Sequence, residues 1–345
     1  MNIDNLIRPN IKALKPYSSA RDEFQGATDN MVFLDANENP FNNGVNRYPD
    51  PQQNALKSVL ANLKGIPTQN ILLGNGSDEV LDLLFRAFCE PNVDNIITLP
   101  PTYGMYSVLA NINAITIKPI QLTAAFQPDV PKILETANAQ SKILFLCSPN
   151  NPTGNSFTNA NIETLLNSFK GIVVIDEAYI DFSSQKSWIH RLEDYPNLIV
   201  TQTLSKAYGM AGIRLGICYA STQITSILNT IKPPYNVNTL TQNKAIELLT
   251  DKGVAQQQIN NILEQRDVLI SALKTISFVS KIYNSDANFI LVKVDNATKR
   301  YNQLIEKGIV IRNRTTQPGC ENTLRLTVGT AQENKILIDT LKSIS

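Results

Sequence analysis

Lys206 lies in Ser205-Lys206-Ala207-Tyr208-Gly209-Met210-Ala211-Gly212-Ile213-Arg214-Leu215-Gly216, just after the β-rich run Asn197 to Thr201. An amine among glycines and small residues, with a guanidinium further along the same stretch, can sit against a bound group while the second cation holds a phosphate. Other chemistry-bearing residues also follow apolar runs. Asp176 closes Ile172 to Ile175 and opens Asp176-Glu177-Ala178-Tyr179. A carboxylate ending a buried strand needs a partner, and a ring N–H, a helix start or a basic side chain would each serve. Ser148-Pro149-Asn150-Asn151-Pro152-Thr153-Gly154 follows Ile143 to Cys147, where Asn151 can offer its amide to a ligand or satisfy a turn. Pro100-Pro101-Thr102-Tyr103-Gly104-Met105-Tyr106 follows another run, and Tyr103 can stack on a flat ring or pack in the core.

Two further groups bear on anions. Gly74-Asn75-Gly76-Ser77-Asp78-Glu79 joins a strand to a helix. Free N–H groups there suit a phosphate, although an ordinary turn capped by Ser77 reads the same way. Arg312, Arg314 and Arg325 lie beside late β-rich runs and can grip a carboxylate or phosphate through paired hydrogen bonds, or bridge two domains.

The elements that must position these residues alternate. Strands are expected at Ile71-Leu73, Asn95-Leu99, Ala114-Lys118, Ile143-Cys147, Ile172-Ile175, Leu198-Thr201 and Leu215-Ala220. Helices are expected from Ser77 to Cys89, Tyr103 to Asn111 and Asn159 to Lys170. That order predicts an α/β fold with a largely parallel, covered sheet. After Pro233-Pro234 come helices over Thr239 to Leu249 and Val254 to Thr275, strands at Asn288-Val294, Ile309-Ile311 and Thr323-Thr327, and a last helix from Ala331. With 345 residues, one large and one smaller domain is expected. We divide the chain into an N-terminal arm with a small-domain segment over 1–40, a large domain over 41–235 and a small domain over 236–345.

Composition narrows the class. A net charge of +1 gives no general pull toward nucleic acid or an anionic membrane. Cys89, Cys147, Cys218 and Cys320 are far apart, as expected of buried thiols in a reducing compartment. His190 is the one histidine, which argues against a histidine metal site or a Ser-His-Asp triad. No apolar stretch reaches the roughly 20 residues of a membrane span, so a cytoplasmic location is expected; with one histidine and no paired cysteines, no metal is.

Taken in order, Gly74-Asn75-Gly76, Tyr103, Asn151-Pro152, Asp176 with Tyr179, Ser205-Lys206, Arg214 and Arg325 resemble the fold-type I pyridoxal-phosphate aminotransferases. The resemblance runs from about Leu34 to Thr330. Leu14-Lys15-Pro16-Tyr17, Leu34-Asp35-Ala36-Asn37-Glu38-Asn39-Pro40, Arg47-Tyr48-Pro49-Asp50 and Leu324-Arg325-Leu326-Thr327-Val328-Gly329-Thr330 are most similar to the histidinol-phosphate branch of that class. It implies a large domain with a mostly parallel central sheet between helices, plus a smaller α/β domain. It implies pyridoxal 5′-phosphate carried by Lys206 as an imine, with Asp176 on the pyridine nitrogen, Asn151 and Tyr179 on the ring hydroxyl, and Tyr103 on the ring face. Gly76, Ser77, Asp78, Thr203, Ser205 and Arg214 would hold the cofactor phosphate, joined by Tyr48 from a second copy in a homodimer. Tyr17, Arg312 and Arg325 would hold the substrate anion, with Arg314 the alternative to Arg312. The substrates implied are histidinol phosphate and glutamate or 2-oxoglutarate. An aromatic or broad-specificity aminotransferase, or a threonine-phosphate decarboxylase, shares most of these motifs.

Overall fold

The apolar runs become strands because both of their faces are covered. The computed structural model describes residues 2–15 and 31–344. Among them, β1 (Ile71–Asn75), β2 (Asn95–Thr98), β3 (Thr116–Pro119), β4 (Ser141–Cys147), β5 (Ile172–Asp176), β6 (Leu198–Thr203) and β7 (Leu215–Ala220) form one sheet in the order β1-β7-β6-β5-β4-β2-β3. Strands β2 to β6 are parallel, whereas β7 runs against both β6 and β1. Alternate residues feed two cores. Leu144, Leu146, Val173, Ile175 and Ile217 face one. Ile143, Phe145, Ile172, Val174 and Cys218 face the other. Two-sided burial leaves no polar alternation, which is why these strands read as continuous apolar segments.

The helices Ser77–Phe88, Met105–Ile112 and Thr222–Ile231 cover one face, and Asn54–Lys64, Val130–Thr136 and Asn159–Ser168 the other. The helix Thr239–Thr250 also joins this larger core: Ala245 and Leu249 pack in the cluster that holds Leu56 and Leu60. The division by sequence put that helix after the boundary at 235.

Two local expectations shift. Ser77 is the first helical residue and not the cap; Gly76, at φ +79°, is the cap and brings no side-chain acceptor. The positive φ that glycine tolerates turns the chain into the helix one residue early, so the first-turn N–H groups have no side-chain cap. Strand β3 starts at Thr116 because Ala114 takes a left-handed conformation at φ +55°.

The second sheet is antiparallel throughout, with β8 (Val279–Ile282), β9 (Phe289–Val294), β10 (Arg312–Asn313) and β11 (Thr323–Thr327) in the order β10-β11-β9-β8. The strand expected at Ile309–Ile311 lies later: Val310 is 80% exposed, and ladder pairing begins only at Arg312. Helices Lys252–Leu273, Ala297–Glu306 and Ala331–Ser343 cover this sheet. The last begins with a capping box between Thr330 and Glu333. Tyr179, Phe182, Ala207, Ile259, Ala287 and Phe289 form a small cluster that binds the two units together. Among the described residues, no helix is long and apolar enough to cross a membrane.

Candidate active site

Parallel strands deliver their last residues to one edge. Cys147 of β4 pairs with Asp176 of β5, and Asp176 pairs with Thr201 of β6. Because β7 is reversed, its first residue, Leu215, reaches that edge opposite Asn75 of β1. The loops that follow enclose a cavity of about 570 Å³. Ser77, Asp78, Tyr103, Asn151, Asp176, Tyr179, Thr203, Ser205, Lys206, Arg214, Arg312 and Arg325 all line it, as do Arg314 and Gln317.

One end is built for an anion. Arg214, in a left-handed turn at φ +54°, directs its guanidinium across Gly76: a Cβ there would sit 2.6 Å from Arg214 Nη2. Asp78 steadies the same corner, accepting from Tyr103 Oη at 3.1 Å and lying 3.7 Å from Arg214 Nη2. This ion pair is open to solvent, so its weight is in placement and not in stability. Uncapped helix N–H groups, Ser77, Ser205 and Arg214 thus converge.

Gly216 makes that convergence possible and was not singled out by sequence reasoning. A Cβ at Gly216 would sit 2.3 Å from the Ser77 nitrogen and 2.4 Å from the Gly76 carbonyl carbon. The only signal was a glycine inside a strand, which often marks close backbone approach. Gly216→Ala is expected to cost about 1–3 kcal/mol of stability through forced displacement and to reduce the stabilisation gained from pyridoxal phosphate. Thermal unfolding with and without the cofactor measures both. Unchanged midpoints would show that the two backbones can part without cost.

The floor is acidic and buried. Asp176 is 4% exposed; it accepts from Tyr106 Oη at 2.6 Å and from the Ala178 N–H at 3.2 Å. Burial pushes its carboxyl above the usual range, and those two donors pull in the other direction. Tyr106 was also missed as a functional residue. Its place on the Met105–Ile112 helix, stacked on Phe145 at 4.6 Å, reads from sequence as an ordinary core aromatic. Glu177 turns away from the cavity. It accepts from the Trp188 N–H, Gln202 Nε2 and Ser187, and burial raises its carboxyl to about 7. The two asparagines divide as well. Asn150 is buried and donates to the Pro101 carbonyl and Thr153 Oγ1 at 2.9 and 2.7 Å, locking its loop. Asn151 faces the cavity and accepts from Arg325 Nη1 through Oδ1, leaving its amide N–H groups for a ligand.

Lys206 stands above this floor, 5.8 Å from the centre of the Tyr179 ring. Its loop is held by the Met210 N–H on the Leu204 carbonyl and by buried Ala207 and Met210. Solvent reaches the side chain through the cavity mouth, yet partial burial, then Arg325 and Arg214, hold the amine below the ordinary lysine range. A larger neutral fraction makes it a better nucleophile and base.

Arg312, Arg314 and Arg325 also line the cavity. The structure thus brings in both arginines between which the sequence left a choice. Tyr48 is elsewhere: it is half-exposed, stacks on Tyr235 at 4.4 Å and lines a separate cleft with Arg47 and Leu240. Tyr17 lies outside the described residues. His190 is at the surface, and the four cysteines are buried free thiols, with Cys147 on the cavity wall.

Residues 25–341 match the family model described as aminotransferase class I and II. A histidinol-phosphate aminotransferase of Flavobacterium johnsoniae is 64% identical over 345 residues, covering 100% of this chain and 99% of its own. Among solved structures, the histidinol-phosphate aminotransferase from Clostridium acetobutylicum aligns with a TM-score of 0.80 at 24% identity, over 87% of this chain and 91% of that one. The enzyme of the same name from Sinorhizobium meliloti, in complex with pyridoxal-5′-phosphate, aligns at 0.79 and 21% identity over 87% and 84%. At these identities the structural matches speak for the fold alone.

Proposed function

The chain belongs to the class I and II aminotransferases, whose cofactor is pyridoxal 5′-phosphate, and from that premise we propose that it interconverts L-histidinol phosphate and 2-oxoglutarate with imidazole-acetol phosphate and L-glutamate, a step of histidine biosynthesis. The observation that carries this reading is the meeting of Lys206, buried Asp176 and the Arg214 corner in one cavity. The substrate follows from relatives of that name that align along the whole chain.

The donor set suits the cofactor. The uncapped start of the Ser77–Phe88 helix, with Thr203, Ser205 and Arg214, would hold its phosphate. Asp176 would face the ring nitrogen, whose protonated form gives this buried carboxylate the cation it lacks. Asn151 and Tyr179 would hold the ring hydroxyl, and Tyr103 would cover one ring face. When bound, pyridoxal phosphate supplies an electron sink that acidifies the carbon-bound proton beside the substrate amine.

The chain's own residues do the rest. Asp176 keeps negative charge at the cavity floor. Lys206 Nζ, poised by its lowered pKa, would take up and return the proton at the amine-bearing carbon. Arg325 and Arg312, with Tyr17, hold the distal anion: phosphate in one half of the cycle, the glutamate carboxylate in the other.

The 41–235 segment with the helix Thr239–Thr250 makes the cofactor-bearing domain in this reading, and the four-stranded sheet with its helices makes the small one. A homodimer accompanies it, with Tyr48 of one copy reaching the cofactor phosphate of the other. Exposed apolar side chains before and around Tyr48, namely Val32, Leu34, Phe41 and Val45, are what such an interface would cover. A cytoplasmic location fits four buried thiols and small phosphorylated substrates.

A substrate panel tests the reading. Histidinol phosphate should exceed phenylalanine and threonine phosphate in kcat/KM by about tenfold or more, the discrimination expected when a site is built around one anion. Negligible turnover of histidinol phosphate would overturn the substrate, and carbon dioxide release from threonine phosphate would move the chain to decarboxylation.

A further inference from the structure

Strands β10 and β11 set Arg312 directly opposite Arg325. Like charges in that position oppose each other. Arg314 lies two residues beyond Arg312, on the same side of an extended segment, where its N–H still bonds the Thr323 carbonyl at 2.9 Å. All three side chains enter the cavity. Arg314 Nε and Arg325 Nε are closed off from solvent and have no hydrogen-bond partner. Among the described residues, no carboxylate forms an ion pair with any of the three. The cavity's own acids are engaged elsewhere, Asp78 with Tyr103 and Arg214, Asp176 with Tyr106 and the Ala178 N–H.

Three cations with no counter-ion among the described residues, and two orphaned donors, weaken the folded chain unless a ligand completes them. The ligand's charge and shape can be read from this deficit. A carboxylate has one charge and two oxygens, and two arginines suffice for it. A phosphate monoester carries nearly two charges near neutrality and three terminal oxygens, which gives the third guanidinium a use. Arg314 also has the geometry to act without displacing the others: Arg325 is tied to Asn151 and lies over the Phe289 ring at 5.1 Å, so its position is already fixed.

We infer that Arg314 is a specificity-determining residue that favours the phosphate-monoester substrate over the dicarboxylate sharing its site. This rests on the proposed transamination of histidinol phosphate. Burial and the neighbouring Arg312 lower the Arg314 pKa, in keeping with a site that gains from a multiply charged anion.

The test uses the cofactor-loaded enzyme and compares wild type with Arg314→Gln and Arg314→Lys. For Arg314→Gln, kcat/KM for histidinol phosphate should fall about tenfold to a hundredfold, mostly through KM, while glutamate and phenylalanine change by less than about threefold, as expected for loss of charged hydrogen bonds to one anion. Inorganic phosphate should inhibit the wild type competitively, and its Ki should rise in parallel. Arg314→Lys should recover part of the loss, through charge without the fork. Equal losses on all three substrates, or no loss on histidinol phosphate, would overturn the assignment. A wild type inactive on histidinol phosphate would instead overturn the substrate reading. Phosphate inhibition measured against glutamate would then still decide for or against Arg314.

Discussion

Lys206→Ala should lower turnover of histidinol phosphate by about 10⁴-fold or more, since it removes both a general base, worth about 10²–10⁴ alone, and a covalent attachment point. The geometry makes compensation hard. The tyrosines on the cavity wall, Tyr103 and Tyr179, are pushed well above the ordinary tyrosine range by burial and stay protonated near neutrality, and the carboxylates there, Asp78 and Asp176, already accept hydrogen bonds from Tyr103 and Tyr106. Neither kind stands ready to take a carbon-bound proton in place of Lys206. Borohydride treatment followed by mass spectrometry should fix the cofactor to the wild-type chain and leave Lys206→Ala unlabelled. The variant should still bind pyridoxal phosphate, because the Arg214 corner is intact. A variant that keeps even one hundredth of wild-type turnover would remove Lys206 from its role.

Asp176→Asn should lower kcat by about 10²–10³, the range found when a single preorganised charge is lost at a reacting centre. The stability of the cofactor-free chain should move in the opposite direction. Burial raises the Asp176 carboxyl in the folded chain. A folded-state value above the unfolded one means that the folded chain binds more protons in that window, so stability falls as pH rises through it. Asparagine removes that slope. The cavity accepts the amide because the Tyr106 hydroxyl, a donor to Asp176 Oδ2 at 2.6 Å, can rotate and accept instead. Cofactor-free Asp176→Asn should therefore unfold no earlier than wild type near neutral pH and gain less from added pyridoxal phosphate. Matching gains for the two proteins would separate Asp176 from the cofactor.

The residues legible in the sequence share one property: each follows a strand buried on both faces. Asn151, Asp176 and Lys206 stand out because a polar residue ends, or closely follows, an apolar run, and that break can be read without knowing which strands are neighbours. Tyr106 and Gly216 act through contacts far away in sequence, and each looks ordinary within its own element. The Thr239–Thr250 helix shows the same limit at a larger scale. Its pattern gives an apolar face, but nothing in it says which sheet that face covers. Ser77 was misread as a cap because its side chain suits one; the φ of the preceding glycine decided otherwise. The arginines were visible individually. That they lack a counter-ion among the described residues is a property of the assembled cavity.

The reversal of β7 reaches beyond topology. A parallel neighbour would need a crossover of a dozen or more residues and would begin at the far edge of the sheet. Instead, Thr203 and Gly216 are ladder partners, so the excursion carrying Lys206 and Arg214 leaves and re-enters the sheet at one rung. The amine and the guanidinium therefore ride on a single anchored bracket. Twisting or shearing the sheet carries both together, and only changes within residues 204–214 alter the span between them. The tolerances of the reaction are set by one short piece of chain.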